Sequence, residues 1–336
     1  MMVAERALRT SDVWQIEGGL PVYRERQPGI TISYHDEGLD LFDELMRQFS
    51  KLGPRTADVW TLLRAEIHRG KNADGYQAVS LDARTVARDL GYKLHPHGGV
   101  RTSDLLEIES ALKHIERVRI EISPVERSLK RVGKNGRKTS GLQRVYSQRL
   151  IAVMGKREQR TLRGVTCHVI WDIALGAWVD YFHRSYAPMP SVLTALSARG
   201  SNLWAKQIGK ELAYWYRIDH HGPQRRTEKR IRVGQLLTWA CLLPTVAHMR
   251  SSGNRRRPRE YFEAALDKLE GLGILDHWHY AERDAAKMRT GAGVSGAVDQ
   301  WLASIVVIQA PRPGSVACHS SGTNLPQATD LLPTPN

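Results

Sequence analysis

The chain has 336 residues, of which 41% are apolar, so it can form two domains of ordinary size and is not disordered as a whole. Lysine and arginine number 49 against 35 for aspartate and glutamate, and the resulting net charge of +14 favours a polyanionic partner. Three widely spaced cysteines, Cys167, Cys241 and Cys318, predict neither a disulfide framework nor a zinc cluster.

Neither a membrane segment nor an export signal is predicted. The most apolar stretch, residues 236–247, is shorter than the roughly 20 residues that span a bilayer. The N-terminus lacks the apolar run of a signal peptide. We therefore expect a cytoplasmic protein whose polyanionic partner is nucleic acid, with no bound cofactor, no metal and no membrane contact.

The first half of the chain has the pattern of an arm followed by one domain. Residues 1–37 contain Pro21, Pro28 and several glycines, which predicts a partly ordered N-terminal arm with a short strand over 30–34. The order after it is that of a winged helix, a helix-turn-helix followed by a β-hairpin whose loop is the wing, and we assign it to residues 38–165. Apolar spacing and capping residues predict helices over 39–49 and 56–68, a strand over 78–81, a helix over 82–90 closed by Gly91, a helix from Thr102 or Ser103 to about 115, a strand over 118–122, a basic loop over 127–141 and a strand over 145–153.

The second half repeats this plan, and we assign a linker helix and a second winged helix to residues 166–310. Residues 311–336 are rich in Pro, Ser, Thr and Gly and predict a disordered tail. The predicted elements are a strand over 165–171, a linker helix over 172–182, a helix over 201–218, a strand over 229–233, a helix over 234–242 ended by Pro244, a basic loop over 250–257, a helix from Pro258, a strand over 274–280, a polar loop over 282–296 and a strand over 301–309.

An internal repeat supports the duplication. Residues 111–120 align without gaps on residues 265–274, and both segments read Ala-Leu-x-x-(Ile/Leu)-Glu-x-(Val/Leu)-x-Ile. This pattern is an amphipathic helix that runs directly into a strand. The predicted fold class is therefore α+β and mostly helical, with two winged-helix domains in tandem.

The pattern and order of these segments resemble the initiator proteins of theta-replicating plasmids, the TrfA-type initiators and related tandem winged-helix Rep proteins. The resemblance extends from about residue 29 to about residue 309. It implies a protein that binds repeated sites at a plasmid origin, opens the duplex and recruits host replication proteins. The segments that carry it are 29–34, 80–92, 106–122, 232–241 and 261–278.

Clusters of basic residues mark the predicted DNA contacts. Between residues 127 and 163 there are twelve Lys or Arg and one acidic residue, Glu158, as expected of a wing that lies along phosphates. A second cluster precedes the helix at Pro258, where free backbone N–H groups favour phosphates and an arginine can also read guanine. The predicted DNA-binding residues are Arg101, Lys130, Arg131, Lys134, Arg137, Lys138, Arg144, Arg225, Arg226, Lys229, Arg230, Arg255, Arg256, Arg257 and Arg259.

Acidic residues limit what the two predicted recognition helices can read. The first of them contains Asp104 and Glu107, and the second contains Glu260, Glu263 and Asp267. Carboxylates repel phosphate, although they can accept a hydrogen bond from cytosine. We therefore expect base reading to be confined to the first turn of each helix.

A metal-dependent nickase is the alternative from another functional class. His277 and His279 share one face of a predicted strand and resemble the His-hydrophobic-His core of rolling-circle nickases. Tyr280 would be the nucleophile, but it faces the opposite side, and the sequence offers no third ligand.

The sequence thus predicts a plasmid replication initiator without catalytic residues of its own, located in the bacterial cytoplasm with its plasmid. Its expected partners are double-stranded DNA and a host helicase, initiator or sliding clamp. Residues 327–332 resemble a clamp-binding peptide, and a homodimer is left open. A transcriptional repressor on the same scaffold remains the main alternative among DNA-binding functions.

Overall fold

The protein is an α+β protein, as the sequence predicts. None of the helices in the described part of the chain is long and apolar enough to cross a membrane. The computed structural model describes residues 2–24, 30–35, 42–69, 79–95, 99–122, 146–160, 166–176, 189–220, 227–285 and 296–311.

Residues 2–175, called the first half below, contain a five-stranded sheet in the order β1-β2-β3-β5-β6 and a three-stranded sheet in the order β4-β8-β7. The helices pack with both sheets around one apolar core. The elements are α1 Met2–Arg9, β1 Gln15–Glu17, β2 Leu20–Arg24, β3 Ile30–Tyr34, α2 Phe42–Phe49, α3 Pro54–Arg69, β4 Val79–Asp82, α4 Ala83–Asp89, α5 Thr102–Glu116, β5 Val118–Ile122, β6 Tyr146–Arg149, β7 Ile151–Arg160 and β8 Thr166–Leu175.

Residues 189–311, called the second half, contain one three-stranded sheet in the order β10-β11-β9 and a core of their own. The elements are α6 Ser191–Ala195, α7 Gly200–His220, β9 Glu228–Arg232, α8 Val233–Trp239, α9 Leu243–Ser251, α10 Arg257–Gly271, β10 His277–Tyr280, α11 Ala297–Ala303 and β11 Ile305–Gln309.

The N-terminal segment is more ordered than the predicted arm. Its strand β3 pairs with β5 from Ile30↔Ile122 to Tyr34↔Val118, which confirms the short strand expected there. The helix α1, by contrast, was not anticipated. Ala4, Ala7 and Leu8 of this helix are fully buried in the first core, so the segment is part of the first half.

The strand pair that flanks the long basic loop lies in an unexpected sheet. β5 pairs with β6 in the five-stranded sheet, whereas β4 pairs with β8 in the other one. The hairpin beside β4 is therefore β7–β8, whereas the 127–141 loop lies between β5 and β6 in the chain, as predicted, and these two strands belong to the other sheet. Residues 123–145 themselves lie outside the described residues.

The predicted linker helix over 172–182 is wrong at its start. Asp172 to Leu175 belong to β8, which pairs with β4 and β7 of the first half, so residues 166–175 do not open the second half. Val169, Trp171 and Ile173 are buried alternately, and this period of two is that of a strand. Residues 177–182 are outside the described part of the chain.

Helix boundaries in the second half also differ from the prediction. Pro244 lies in the first turn of α9, where its missing N–H costs nothing, and does not end the preceding helix. Because α9 extends to Ser251, Arg250 lies in this helix and not in the predicted basic loop. β10 begins at His277, and α11 occupies residues 297–303 before the closing strand.

The two halves repeat a strand, a short helix and a turn at a constant offset of 150 residues. Asp82, where the sequence predicts that this helix begins, caps α4 by accepting a hydrogen bond from the Arg84 N–H at 2.6 Å. The turn that follows α4 has Gly91 at φ +76°, and the equivalent turn after α8 has Cys241 at φ +57°. The residues buried at equivalent positions are Leu81 and Ile231, Ala83 and Val233, Val86 and Leu236, Ala87 and Leu237, and Leu90 and Ala240.

A buried histidine in the first core predicts a pH dependence of stability. The Nδ1 atom of His114 lies 2.9 Å from the Tyr34 hydroxyl, and burial, followed by the charges of Arg117 and Lys51, lowers the pKa of His114 from 6.5 to about 4. The unfolded chain therefore binds more protons between these values, so stability is complete above pH 6.5 and falls towards pH 4.

We expect His114→Gln to remove on the order of 2–3 kcal/mol of this pH dependence. Urea unfolding at pH 7, 5.5 and 4.5 measures it, with the parent chain in parallel. Equal slopes of unfolding free energy against pH in the two proteins would contradict the assignment.

Candidate nucleic-acid interface

The start of α10 presents an exposed basic cluster. Arg255 and Arg256 precede the helix, Arg257 begins it, and all three are exposed. No side chain caps the helix N-terminus, since its N-cap residue is Arg256. Pro258 has no N–H and the Arg259 N–H donates to the Arg256 carbonyl at 3.1 Å, so it is the three exposed cations that make this surface suited to phosphate oxygens.

Arg259 differs from its three neighbours because it is anchored. Its Nε donates to Glu263 at 2.7 Å, and its guanidinium lies 5.9 Å from the centre of the Tyr280 ring. Burial opposes the charge of Arg259, but the hydrogen bond to Glu263 raises its pKa. Arg257 lies more openly over the Tyr261 ring, at 5.5 Å.

β9 adds a second basic edge to the second half. Its buried residue is Ile231, so Arg230 and Arg232 project on the opposite, exposed face. Arg230 donates to Glu228 at 2.9 Å, while the predicted contact residue Lys229 lies 4.1 Å above the Trp215 ring. Sequence reasoning missed Arg232, although the alternation around Ile231 marks it as exposed.

The first half presents Arg101 in a comparable place. This exposed residue is the N-cap of α5, again without a side-chain capping bond. The cations of β7 are paired instead: the Lys156 ammonium lies 2.9 Å from Glu109, and Arg157 lies 2.9 Å from Asp172. Arg101 is therefore an exposed cation at the start of α5, with Asp104 in the same first turn, whereas Lys156 and Arg157 of β7 are held by carboxylates.

Eight predicted contact residues lie outside the described residues and stay predictions. They are Lys130, Arg131, Lys134, Arg137, Lys138, Arg144, Arg225 and Arg226.

Most acidic residues of the two candidate recognition helices have intramolecular partners. Glu107 accepts hydrogen bonds from the Tyr92 hydroxyl and from Arg55, the latter at 3.3 Å. Asp267 accepts one from the Trp278 indole at 2.9 Å, and Glu263 holds Arg259. These carboxylates are thus engaged by the protein and oppose a phosphate less than free ones would.

The histidine pair lies on β10 as the sequence predicts. The rings of His277 and His279 stack with centres 5.7 Å apart, and His277 Nδ1 lies 3.3 Å from Glu270. Within the described ranges, no group of three or more His, Cys, Asp or Glu side chains could hold a metal ion.

Tyr280 points to the other side of this strand and has two partners. Its hydroxyl donates to Glu263 at 3.1 Å and accepts from the Trp301 indole at 3.0 Å. Burial, aided by Glu263, raises the pKa of Tyr280 well above its usual value. A phenol in this setting is a poor nucleophile.

Comparison with known proteins gives similarity to solved structures alone. No protein-family model and no curated protein matches the chain. A crystal structure of RctB domains 2-3 is similar with a TM-score of 0.47 and 10% sequence identity, over 92% of this chain and 97% of that one. A crystal structure of selenomethionine derivatives of RctB domains 2 and 3 is similar with a TM-score of 0.48 and 11% identity, over 90% and 92% of the two chains. Neither likeness assigns a function to the chain.

Proposed function

We propose that the protein is a replication initiator that binds double-stranded DNA through two winged-helix units in tandem. The proposal rests on the observation that the two halves share the same order of helices and strands and the same strand pairing. In each, a long helix leads to a strand and a short helix, and a later hairpin places its second strand beside that first strand. In each, the last helix before that hairpin has exposed arginine at its N-terminus, at Arg101 or at Arg255 to Arg257.

The finer parts of the proposal are a plasmid origin with repeated sites and the recruitment of host replication proteins. Its setting is the bacterial cytoplasm. We also propose that the protein acts through binding and contributes no catalysis. Repetition of the DNA-contacting unit suits a bipartite duplex site, because each unit supplies its own helix and hairpin.

A gel shift on DNA that flanks the protein's own gene tests this function. The full chain is mixed with that fragment, excess nonspecific competitor and EDTA. A stepwise ladder on a fragment with direct repeats is the expected result, and opening of the duplex by permanganate footprinting distinguishes an initiator from a repressor. Absence of any specific complex would overturn the proposal.

The exposed arginines at the start of α10 should contribute phosphate contacts. We expect the combined change of Arg255, Arg256 and Arg257 to alanine to weaken duplex binding on all sequences. The log–log salt dependence should flatten by about one unit per lost contact. Fluorescence anisotropy across a salt series measures both quantities.

Arg47→Ala is the matched control for this triple variant, because Arg47 is an exposed cation on α2, 67% accessible and paired with Glu44. It should leave the salt slope unchanged. A triple variant with the parental slope would show that the start of α10 does not touch the DNA backbone.

A further inference from the structure

A buried ionic cluster joins the two halves, and we call it the ionic clamp. It lies where α1 and α3 of the first half meet α7 of the second half, between the two apolar cores. All of its side chains are less than one-tenth exposed. Its members are Glu5, Arg6 and Arg9 from α1, Asp58 and Arg64 from α3, and Lys206, Lys210, Glu211 and Tyr214 from α7.

Glu211 connects α7 to α1. Its carboxylate lies 2.6 Å from Arg6 Nη2 and 2.7 Å from Arg9 Nη1, and it is fully buried. The two arginines are one helical turn apart, so one carboxylate fixes both the position of α1 and its rotation about its axis. Arg6 and Glu211 are 205 positions apart in the chain.

Asp58 connects α7 to α3 in the same manner. Its two oxygens accept from Lys206 at 2.6 Å and from Lys210 at 2.9 Å, and all three side chains are fully buried. Lys210 also lies 3.1 Å from Glu5, which closes the cluster across all three helices. The Tyr214 hydroxyl donates a hydrogen bond to Glu5.

The charges of the ionic clamp depend on one another. Burial alone would raise the pKa of Glu5, but Lys210, Arg9 and Arg64 together lower it well below its usual value. Burial lowers the pKa of Lys206 despite Asp58. Ions removed from water in this way are stable only while every partner stays within hydrogen-bond reach.

An ionic contact defines one relative position of the halves, whereas an apolar contact is non-directional. α1 is held on the first half by Ala4, Ala7 and Leu8, which are buried in the first core. The opposite face of α1 carries the charges of the ionic clamp. These charges can all meet their partners on α7 in only one relative position of the two helices.

Two of the three helices in the ionic clamp, α3 and α7, also contact the candidate DNA-contacting helices. α3 contacts α5 through Arg55 and Glu107 at 3.3 Å. α7 contacts α10 through Asn202 and Lys268 at 2.7 Å, and Trp204 packs edge-on against Tyr261. The distance between the starts of α5 and α10 is therefore set by the position of α3 relative to α7.

We propose that the ionic clamp fixes the spacing of a two-part DNA site, with Arg6, Arg9 and Glu211 as positioning residues that do not touch DNA. This inference rests on the proposed function. A rigid pair of binding surfaces loses its joint affinity when the two parts of the site are moved apart, whereas a loose pair adapts.

The test uses the full chain and duplexes that the parent protein enriches from a random pool. Five base pairs, about half a helical turn, are then inserted between the two parts of the enriched site. The variants are Glu211→Gln and the milder Arg6→Gln, and the control is Glu44→Gln, which neutralises a carboxylate in an exposed pair with Arg47 on α2. Hydrogen exchange of α1 without DNA provides the second readout.

The parent and Glu44→Gln should lose about 100-fold in affinity on insertion, and the clamp variants less than about tenfold. Exchange of the α1 amides should be faster in the clamp variants alone. If Glu211→Gln and Arg6→Gln fold but lose as much affinity on insertion as the parent protein does, the inference is overturned. If the parent protein enriches no duplex, the proposed DNA binding is wrong. Hydrogen exchange then still tests the ionic clamp, because exchange of the α1 amides that is equal in the parent and the clamp variants would contradict it.

Discussion

Replacing Asp58 with alanine is expected to lower the free energy of unfolding by about 3–5 kcal/mol. The change leaves the Lys206 and Lys210 ammonium groups fully buried without the carboxylate that lies 2.6 and 2.9 Å from them. Removal of one partner from a buried ion pair costs more than the pair contributes, because the remaining charge stays desolvated.

Urea unfolding followed by circular dichroism measures this loss. Glu44→Ala is the control, since it breaks the exposed Glu44–Arg47 pair within α2 and should change stability little. Asp58→Asn keeps an acceptor of the same shape and should lie between the two. Equal stabilities of Asp58→Ala and Glu44→Ala would contradict a buried ionic contact between the halves.

A side chain at Gly91 should separate the halves from the other end of their interface. Gly91 has φ +76°, and a Cβ atom there would lie 2.6 Å from the carbonyl oxygen of Ala195 in α6. Gly91→Ala therefore combines left-handed backbone strain with a clash against a backbone atom. We expect a loss of about 2–4 kcal/mol in unfolding free energy.

Gly253→Ala separates the two causes of this loss. Gly253 has a similar φ of +83°, but a Cβ atom there meets nothing within 4 Å. The Gly253→Ala variant should lose about 1–2 kcal/mol in unfolding free energy from backbone strain alone. If thermal and urea unfolding give the two variants the same stability, the close approach of Gly91 to Ala195 does not contribute.

Elements with local signals could be predicted from the sequence. The cap at Asp82, the glycine turn at Gly91 and the apolar spacing of α7 are all properties of neighbouring residues. Strand partners could not be predicted in this way. Alternation shows which face of β5 is buried, but it does not show that β3 and β6, and not β4, lie beside it.

The candidate site was predictable where charge is clustered and exposed, as at Arg255 to Arg257. From the sequence alone, Glu5, Asp58 and Lys206 would be assigned to the solvent-exposed surface, because charged residues are almost never fully buried unless paired. Their partners lie on other helices, up to 209 positions away, as between Glu5 and Tyr214. No sequence pattern within one helix reports such a pair.

The distant partners of α1 determine when this helix can complete its contacts during synthesis. Glu211 follows 205 residues after Arg6, so the ribosome must synthesise and release that whole segment before the pair can form. Until then the charges of α1 remain hydrated on a first half that already has its own apolar core. The contact between α1 and α7 therefore cannot form before α7 has left the ribosome, and a chain that ends before α7 keeps these charges in water.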